Sequence, residues 1–175
     1  MEGLKDNNVE LIPLRLSDVE SLFSLTEKNR EHLREWLPWV DLTKSIDDTK
    51  RFIEMALGQE KDKSGIHFGI WHEGSHVGVI GFHYIHPTNK KAAIGYWLDE
   101  DSQGKGIMAT ACKLIIKYGF ENLNLHRLEI ACAVENEKSN AVAIALGFEK
   151  EGTMKDSEWL NDHFVDQNIY GLVKQ

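Results

Sequence analysis

The chain has 175 residues, 42% hydrophobic and 27% charged, with a formal net charge of −8 and a pI near 5.5; this is the make-up of a globular protein, not a disordered one. The acidity argues against a grip on nucleic acid through its phosphates and favours encounter with a cationic partner. No apolar run approaches the roughly 18 residues of a membrane span, and residues 1–8 are polar, without the apolar stretch of a secretory signal, so the expectation is a cytoplasmic protein with one domain over residues 1–175.

In chain order, residues 9–14 read as a short strand. Ser17-Asp18-Val19-Glu20 reads as a capping box opening an amphipathic helix with Val19, Leu22 and Phe23 on one face. A second helix over 30–37 is expected to stop before Pro38. Ser45 and Asp48 start a third, whose apolar pairs Phe52/Ile53 and Ala56/Leu57 recur four residues apart. Residues 66–72 and 76–85 flank the turn residues Glu73-Gly74-Ser75 and predict a hairpin. Another strand follows over 91–98, with Ile94, Tyr96 and Leu98 alternating against Gly95 and Trp97.

The period then changes. Ala111, Leu114, Ile115 and Tyr118 mark one face of a helix over 107–121, and Leu128, Ile130, Cys132 and Val134 mark one face of the strand after it. A helix over 139–146 ends at Gly147, and strands over 148–154 and 164–172 close the chain. The order β-ααα-βββ-α-β-α-ββ predicts an α/β fold with a mixed sheet and helices on its faces. The only cysteines, Cys112 and Cys132, lie in apolar-periodic segments without metal-ligand spacing and read as buried thiols.

The most informative segment is Gln103-Gly104-Lys105-Gly106-Ile107-Met108-Ala109, between a strand and a helix. Glycines there let backbone approach a ligand closely, and the free N–H groups of the helix start suit an anion such as pyrophosphate. Lys105 adds a mobile cation. The bland alternative is a βα turn that uses glycine. Gly104-x-Gly106-x-x-Ala109 also satisfies the dinucleotide fingerprint, but three consecutive strands precede it instead of the opening strand of a βαβ unit. His72-Glu73-Gly74-Ser75-His76 spells H-E-x-x-H, yet zinc binding needs both histidines on one helix face. A Gly-Ser turn between β patterns splays them apart, so no metal is expected. His72, His76, His83 and His86 read as strand surface or core.

Together these pieces resemble the GNAT acetyltransferase superfamily. Its signature Q/R-x-x-G-x-G/A matches Gln103 to Met108, with Met108 in place of the final small residue. The similarity is closest to the Rim-type ribosomal-protein N-terminal acetyltransferases, and covers nearly the whole chain. It is carried by Glu35-Trp36-Leu37-Pro38-Trp39, Ile94-Gly95-Tyr96-Trp97-Leu98, Gln103 to Ala109, Asn136-Glu137-Lys138-Ser139-Asn140-Ala141, Leu146-Gly147-Phe148, Ser157-Glu158-Trp159-Leu160-Asn161 and residues 166–170.

The resemblance implies a GNAT fold with a mixed, mostly antiparallel central sheet and helices on both faces. It implies acetyl-CoA as cosubstrate, with the pantetheine beside Trp97 and Leu98 and the pyrophosphate on the N–H groups of Gly104, Lys105, Gly106, Ile107, Met108 and Ala109. Asn136 and Asn140 would help hold the pantetheine, Ser139 would stand near the thioester sulfur, and Glu158 near the incoming amine. A homodimer is also suggested by the family.

Acetyl transfer needs a neutral amine, a stabilised oxyanion and a leaving thiolate. An α-amine, with a pKa near 8, is already partly neutral where a lysine at about 10.4 is not, and one carboxylate can complete its deprotonation. Glu158 is the candidate base, or else a surface carboxylate on a loop. A backbone N–H near Trp97 or Leu98 would meet the oxyanion. Ser139 is either the residue that assists the departing sulfur, the cap of the following helix, or both. Trp36 to Trp39 is either a packed anchor or a wall of the acceptor cleft, and Asp99-Glu100-Asp101 reads as a solvated turn. The acceptor is expected to be a protein N-terminus. The alternatives are a small amine such as a polyamine, amino acid or antibiotic, or a non-catalytic acetyl-CoA-binding module.

Overall fold

A computed structural model describes residues 3–175; Met1 and Glu2, the start of the polar N-terminal stretch, lie outside the described residues. The strands are β1 (Leu4–Asp6), β2 (Val9–Pro13), β3 (Ile66–His72), β4 (Ser75–His86), β5 (Lys91–Leu98), β6 (Arg127–Ala133), β7 (Glu149–Leu160) and β8 (His163–Val173). The helices are α1 (Val19–Lys28), α2 (Arg30–Arg34), α3 (Ile46–Asp62), α4 (Ile107–Glu121) and α5 (Glu137–Ala145). One eight-stranded sheet runs in the order β1-β2-β3-β4-β5-β6-β8-β7. Every neighbouring pair is antiparallel except β5 and β6, which α4 connects in parallel.

Alternation along the strands sends apolar side chains to both faces. On one face Val79 of β4 meets Leu14, Leu22 of α1 and Ile53 of α3. On the other, Phe68, Ile80, Phe82, Ile94, Leu128 and Ile130 meet Ile107, Ala111, Cys112 and Ile115 of α4 and Ala143 of α5. Helices therefore cover both faces, as expected. The β3–β4 hairpin turns through Glu73 and Gly74, both at positive φ (50° and 80°), which is the two-residue geometry that matches strand twist.

Several local readings differ. Ser17 is no helix cap: a 3-10 turn over Leu16–Asp18 precedes α1, and the Asp18 carboxylate accepts from the Arg15 N–H at 2.8 Å. Helix α2 stops at Arg34, three residues short of Leu37. The Ser45/Asp48 start of α3 holds, with the Asp48 carboxylate accepting from the Ser45 N–H at 2.8 Å. Short strand β1 has no sequence signal, since it only edges β2. Strand β7 continues past Met154 to Leu160 through a register shift with Asp156 at positive φ.

The largest correction concerns Asp99. It is 4% exposed, not solvated. Its carboxylate accepts from Lys28 Nζ (2.8 Å), Asn29 Nδ2 (2.8 Å) and Ser102 Oγ (3.0 Å), and Asn29 Oδ1 in turn accepts from the Glu100 N–H at 2.9 Å. Burial pushes this carboxyl upward, but the bonds to Lys28, Asn29 and Ser102 outweigh it and hold Asp99 below the usual range. The network ties the α1–α2 junction to the segment after β5. Truncating one member strands buried partners, so Asp99→Ala is expected to lower unfolding free energy by about 2–4 kcal/mol in a denaturant titration, whereas Asp101→Ala, on an exposed side chain, changes it by roughly 0.5 kcal/mol or less.

Candidate active site

Strands β5 and β6 pair only through Lys91↔Arg127, Ala92↔Leu128 and Ala93↔Glu129. Beyond them β5 stays bonded to β4 as far as Leu98, while β6 follows β8 to Ala133. The two strands part and leave facing backbone edges open in the middle of the sheet. The Asp99 N–H bonds Val77 O at 2.7 Å, on the β4 side. Because strand N–H groups alternate sides, the Leu98 N–H faces the opening.

The glycine segment follows at the same end of β5. Gly104 and Gly106 both have φ of 73°, and a Cβ at either would meet nothing within 4 Å. Their requirement is conformational: only glycine adopts this left-handed turn without strain. Gly106 caps α4, and the first ladder bond runs from the Thr110 N–H to Gly106 O at 3.0 Å. The N–H groups of Ile107, Met108 and Ala109 therefore precede the ladder and face a concave, open turn beside the exposed Lys105. This arrangement fits a diphosphate. Met108 packs against the main core, so a large side chain at that position is accommodated by the interior. Gln103 bridges two helices: its Oε1 accepts from Lys138 Nζ at 2.8 Å and its Nε2 lies 2.9 Å from His32 Nε2.

Across the opening, α5 begins at Glu137, so its cap is Asn136 and not Ser139. Asn136 Oδ1 accepts from the Ser139 N–H at 3.1 Å. Ser139 is thereby freed from the capping role and its hydroxyl lies 3.1 Å from the Tyr96 hydroxyl and 3.2 Å from Cys132 Sγ. Asn140 is buried with every polar atom engaged: Nδ2 donates to Ala133 O (2.9 Å) and Asn136 O (2.7 Å), and Oδ1 accepts from Asn168 Nδ2 (2.9 Å) and Tyr170 Oη (2.8 Å). These bonds clamp the end of β6 to α5 and β8 and leave the Asn140 side chain no free donor. Tyr96 and Cys132 were missed as site residues: both fall on regular strand alternation, which says buried and nothing more.

Glu158 is on β7, not on a loop, opposite Val165 of β8. It is half-buried, its Oε2 accepts from Gln167 Nε2 at 3.1 Å, and burial raises its carboxyl above the usual range against the opposing pull of that bond. Val165 and Leu160 line an open cleft of about 440 Å³ at the C-terminal end of β6, with Trp36, Val134, Glu135, Phe164 and Asp166. The aromatic stretch divides its duties: Trp36 walls this cleft, while Trp39 packs on Trp97 with ring centroids 6.1 Å apart.

The histidines form no ligand set. His72 and His76 flank a hairpin turn, and His76 stacks on Trp71 at 4.9 Å. His67 packs against His83 at 4.9 Å, and burial, then the neighbouring His83, pulls its pKa down to about 4. Among the described residues no His/Cys/Asp/Glu group is arranged to hold a metal ion, and no helix is long and apolar enough to cross a membrane. Cys112 and Cys132 are free buried thiols, and burial pushes Cys112 up to about 12.

Residues 8–149 match the family described as the acetyltransferase (GNAT) domain. The chain is 36% identical over 166 residues to the ribosomal-protein-serine acetyltransferase of Escherichia coli K12, across 95% of this chain and 93% of that protein. Its fold matches, with a TM-score of 0.95, 32% identity and 98% coverage of both chains, the RimL ribosomal L7/L12 α-N-protein acetyltransferase solved in complex with coenzyme A. It also matches the microcin C7 self-immunity acetyltransferase MccE in complex with acetyl-CoA and AMP, with a TM-score of 0.92, 34% identity and coverage of 97% of this chain and 94% of that one. The parted strands, the glycine cradle at the start of α4 and these likenesses agree: the chain is a member of the GNAT family, an N-acetyltransferase that uses acetyl-CoA.

Proposed function

We propose that this enzyme acetylates the N-terminal α-amine of a ribosomal protein. The observation that carries the reading is the open cleft of about 440 Å³ at the C-terminal end of β6, with a half-buried carboxylate, Glu158, paired opposite its lining residue Val165. Its aromatic walls Trp36 and Phe164 and its carboxylates Glu135 and Asp166 suit the end of a cationic chain, and the E. coli relative is named for a ribosomal-protein serine. On this reading the protein works in the cytoplasm, where ribosomal proteins are made, and the whole of residues 1–175 acts as one domain.

Acetyl-CoA supplies the activated acyl group. The N–H groups of Gly104 to Ala109 and Lys105 hold its diphosphate, and the open edge of β5 at Trp97 and Leu98 pairs with the pantetheine. The Leu98 N–H, aimed into the opening, meets the developing oxyanion, a contribution typically worth a hundredfold or more in rate. Glu158 takes the proton from the incoming amine, directly or through a water. Ser139 hydrogen-bonds the departing sulfur. A carboxyl raised by burial is a stronger base than a solvated one, and an α-amine near pKa 8 asks little of it.

One specific observation favours a second reading: the similarly close MccE was solved with AMP, a small molecule, beside acetyl-CoA. Incubation with labelled acetyl-CoA and ribosomal proteins, alongside a panel of polyamines, amino acids and aminated nucleotides, separates the two. Label on a protein N-terminus supports the first; brisk thiol release with a small amine and no labelled protein overturns it.

Two variants test the assignments. Glu158→Gln should lower kcat at least about tenfold while calorimetric affinity for acetyl-CoA stays within about twofold. Since the base must be ionised and its pKa is raised, wild-type kcat should fall on the acid side from a pH above the ordinary glutamate range near 4.3, and the variant should lose that limb. Gly106→Val forces a β-branched residue to a φ of 73° and should abolish the heat of coenzyme A binding.

A further inference from the structure

We propose that Tyr96 is a positioning residue for acyl transfer: with the Cys132 thiol it fills the acceptor side of Ser139, so that the single serine proton is directed at the departing sulfur. The inference rests on the reading of Ser139 given above.

The three groups come from separate elements, β5, β6 and α5, and meet inside the opening. Tyr96 Oη is 3.1 Å from Ser139 Oγ and 3.3 Å from Ser139 O. Cys132 Sγ is 3.2 Å from the same Oγ, and Cys132 is 3% exposed. A serine hydroxyl carries one proton and two acceptor lone pairs. Its fate depends on whether the neighbours donate or accept.

Both neighbours carry a proton that can be given to Ser139 Oγ. Burial raises the phenol of Tyr96 and the thiol of Cys132 above their ordinary ranges, the bond to Ser139 opposing it in each case, so each keeps its proton at neutral pH. A phenol between Ser139 O and Ser139 Oγ shares one proton between two acceptors. As negative charge gathers on the sulfur, the serine turns its proton outward and the phenol, keeping its own proton, shifts its hydrogen bond from Ser139 O onto Oγ, which strengthens both bonds in the transition state more than in the ground state. Without Tyr96 the acceptor side of the serine is left to Cys132 alone, and its proton is no longer directed outward.

A double-mutant cycle reads this coupling. Ser139→Ala is expected to lower kcat about tenfold. Tyr96→Phe, which keeps the ring, should lower kcat at least about fivefold with KM for acetyl-CoA within about twofold, and should have no further effect in the Ser139→Ala background. Calorimetric coenzyme A binding checks that each variant is folded. Wild-type kcat in Tyr96→Phe, or losses that multiply in the double variant, overturn the proposal while leaving the Ser139 reading intact. If Ser139→Ala keeps full kcat, the serine reading and this one both fall, independently of which amine is the acceptor. Should Tyr96→Phe not fold, Cys132→Ala serves in the same cycle, with an expected loss of about twofold that vanishes when Ser139 is absent; an equal loss in both backgrounds refutes the coupling.

Discussion

The geometry of this protein follows from two parallel strands that stay together for three residues and then part. A sheet interior normally leaves no backbone group unpaired, because an orphaned N–H or C=O out of water is expensive. Here the edges of β5 beyond Ala93 and of β6 beyond Glu129 face each other across a gap, and a ligand with amides of its own can complete the hydrogen bonding. The pantetheine arm of coenzyme A has that chemistry. The glycine turn follows the β5 side of this opening, Ser139 contacts Tyr96 of β5 and Cys132 of β6, and the cleft lies at the C-terminal end of β6.

An opening inside a sheet has to be held from its sides. On the β5 side, the buried Asp99 joins Lys28 and Asn29 to the turn that leads into the cradle. On the β6 side, Asn140 spends all its hydrogen-bonding capacity on Ala133, Asn136, Asn168 and Tyr170. Gln103 joins the two sides, in contact with His32 of α2 and Lys138 of α5. The residues that the family resemblance assigns to the coenzyme differ in what they leave free: Ile107, Met108 and Ala109 precede the helical ladder with their N–H groups, Asn136 Oδ1 caps α5, and the Asn140 side chain is wholly bonded within the protein.

Burial also sets the chemistry. The same exclusion of water that raises the Glu158 carboxyl raises the Tyr96 phenol and the Cys132 thiol. For the carboxylate this makes a better base; the phenol and the thiol stay protonated. One physical effect acts on three groups of different ordinary pKa and in each favours the protonated form.

Much of this was legible in the chain before any fold was known. Periodicity located the strands and helices that carry the cores, because burial of one face forces a repeat of 2 or 3.6 residues, and the Gly104/Gly106 pair announced a left-handed turn before α4, which admits few other residues. Order and spacing of motifs pointed to the family. Local patterning was silent on other matters: Asp99 reads as one of three acids in a turn, Ser139 as a helix start, and Tyr96 and Cys132 as alternating strand residues. Their roles are set by partners 70, 43 and 7 positions away in the chain. The sequence by itself therefore determined most of the elements and the glycine turn, which rest on interactions between near neighbours, and through its resemblance to a family the class of reaction. Only the tertiary structure decided where β5 and β6 separate and which polar groups meet in the gap, since hydrogen bonds between distant segments leave no periodic trace in the segments they join.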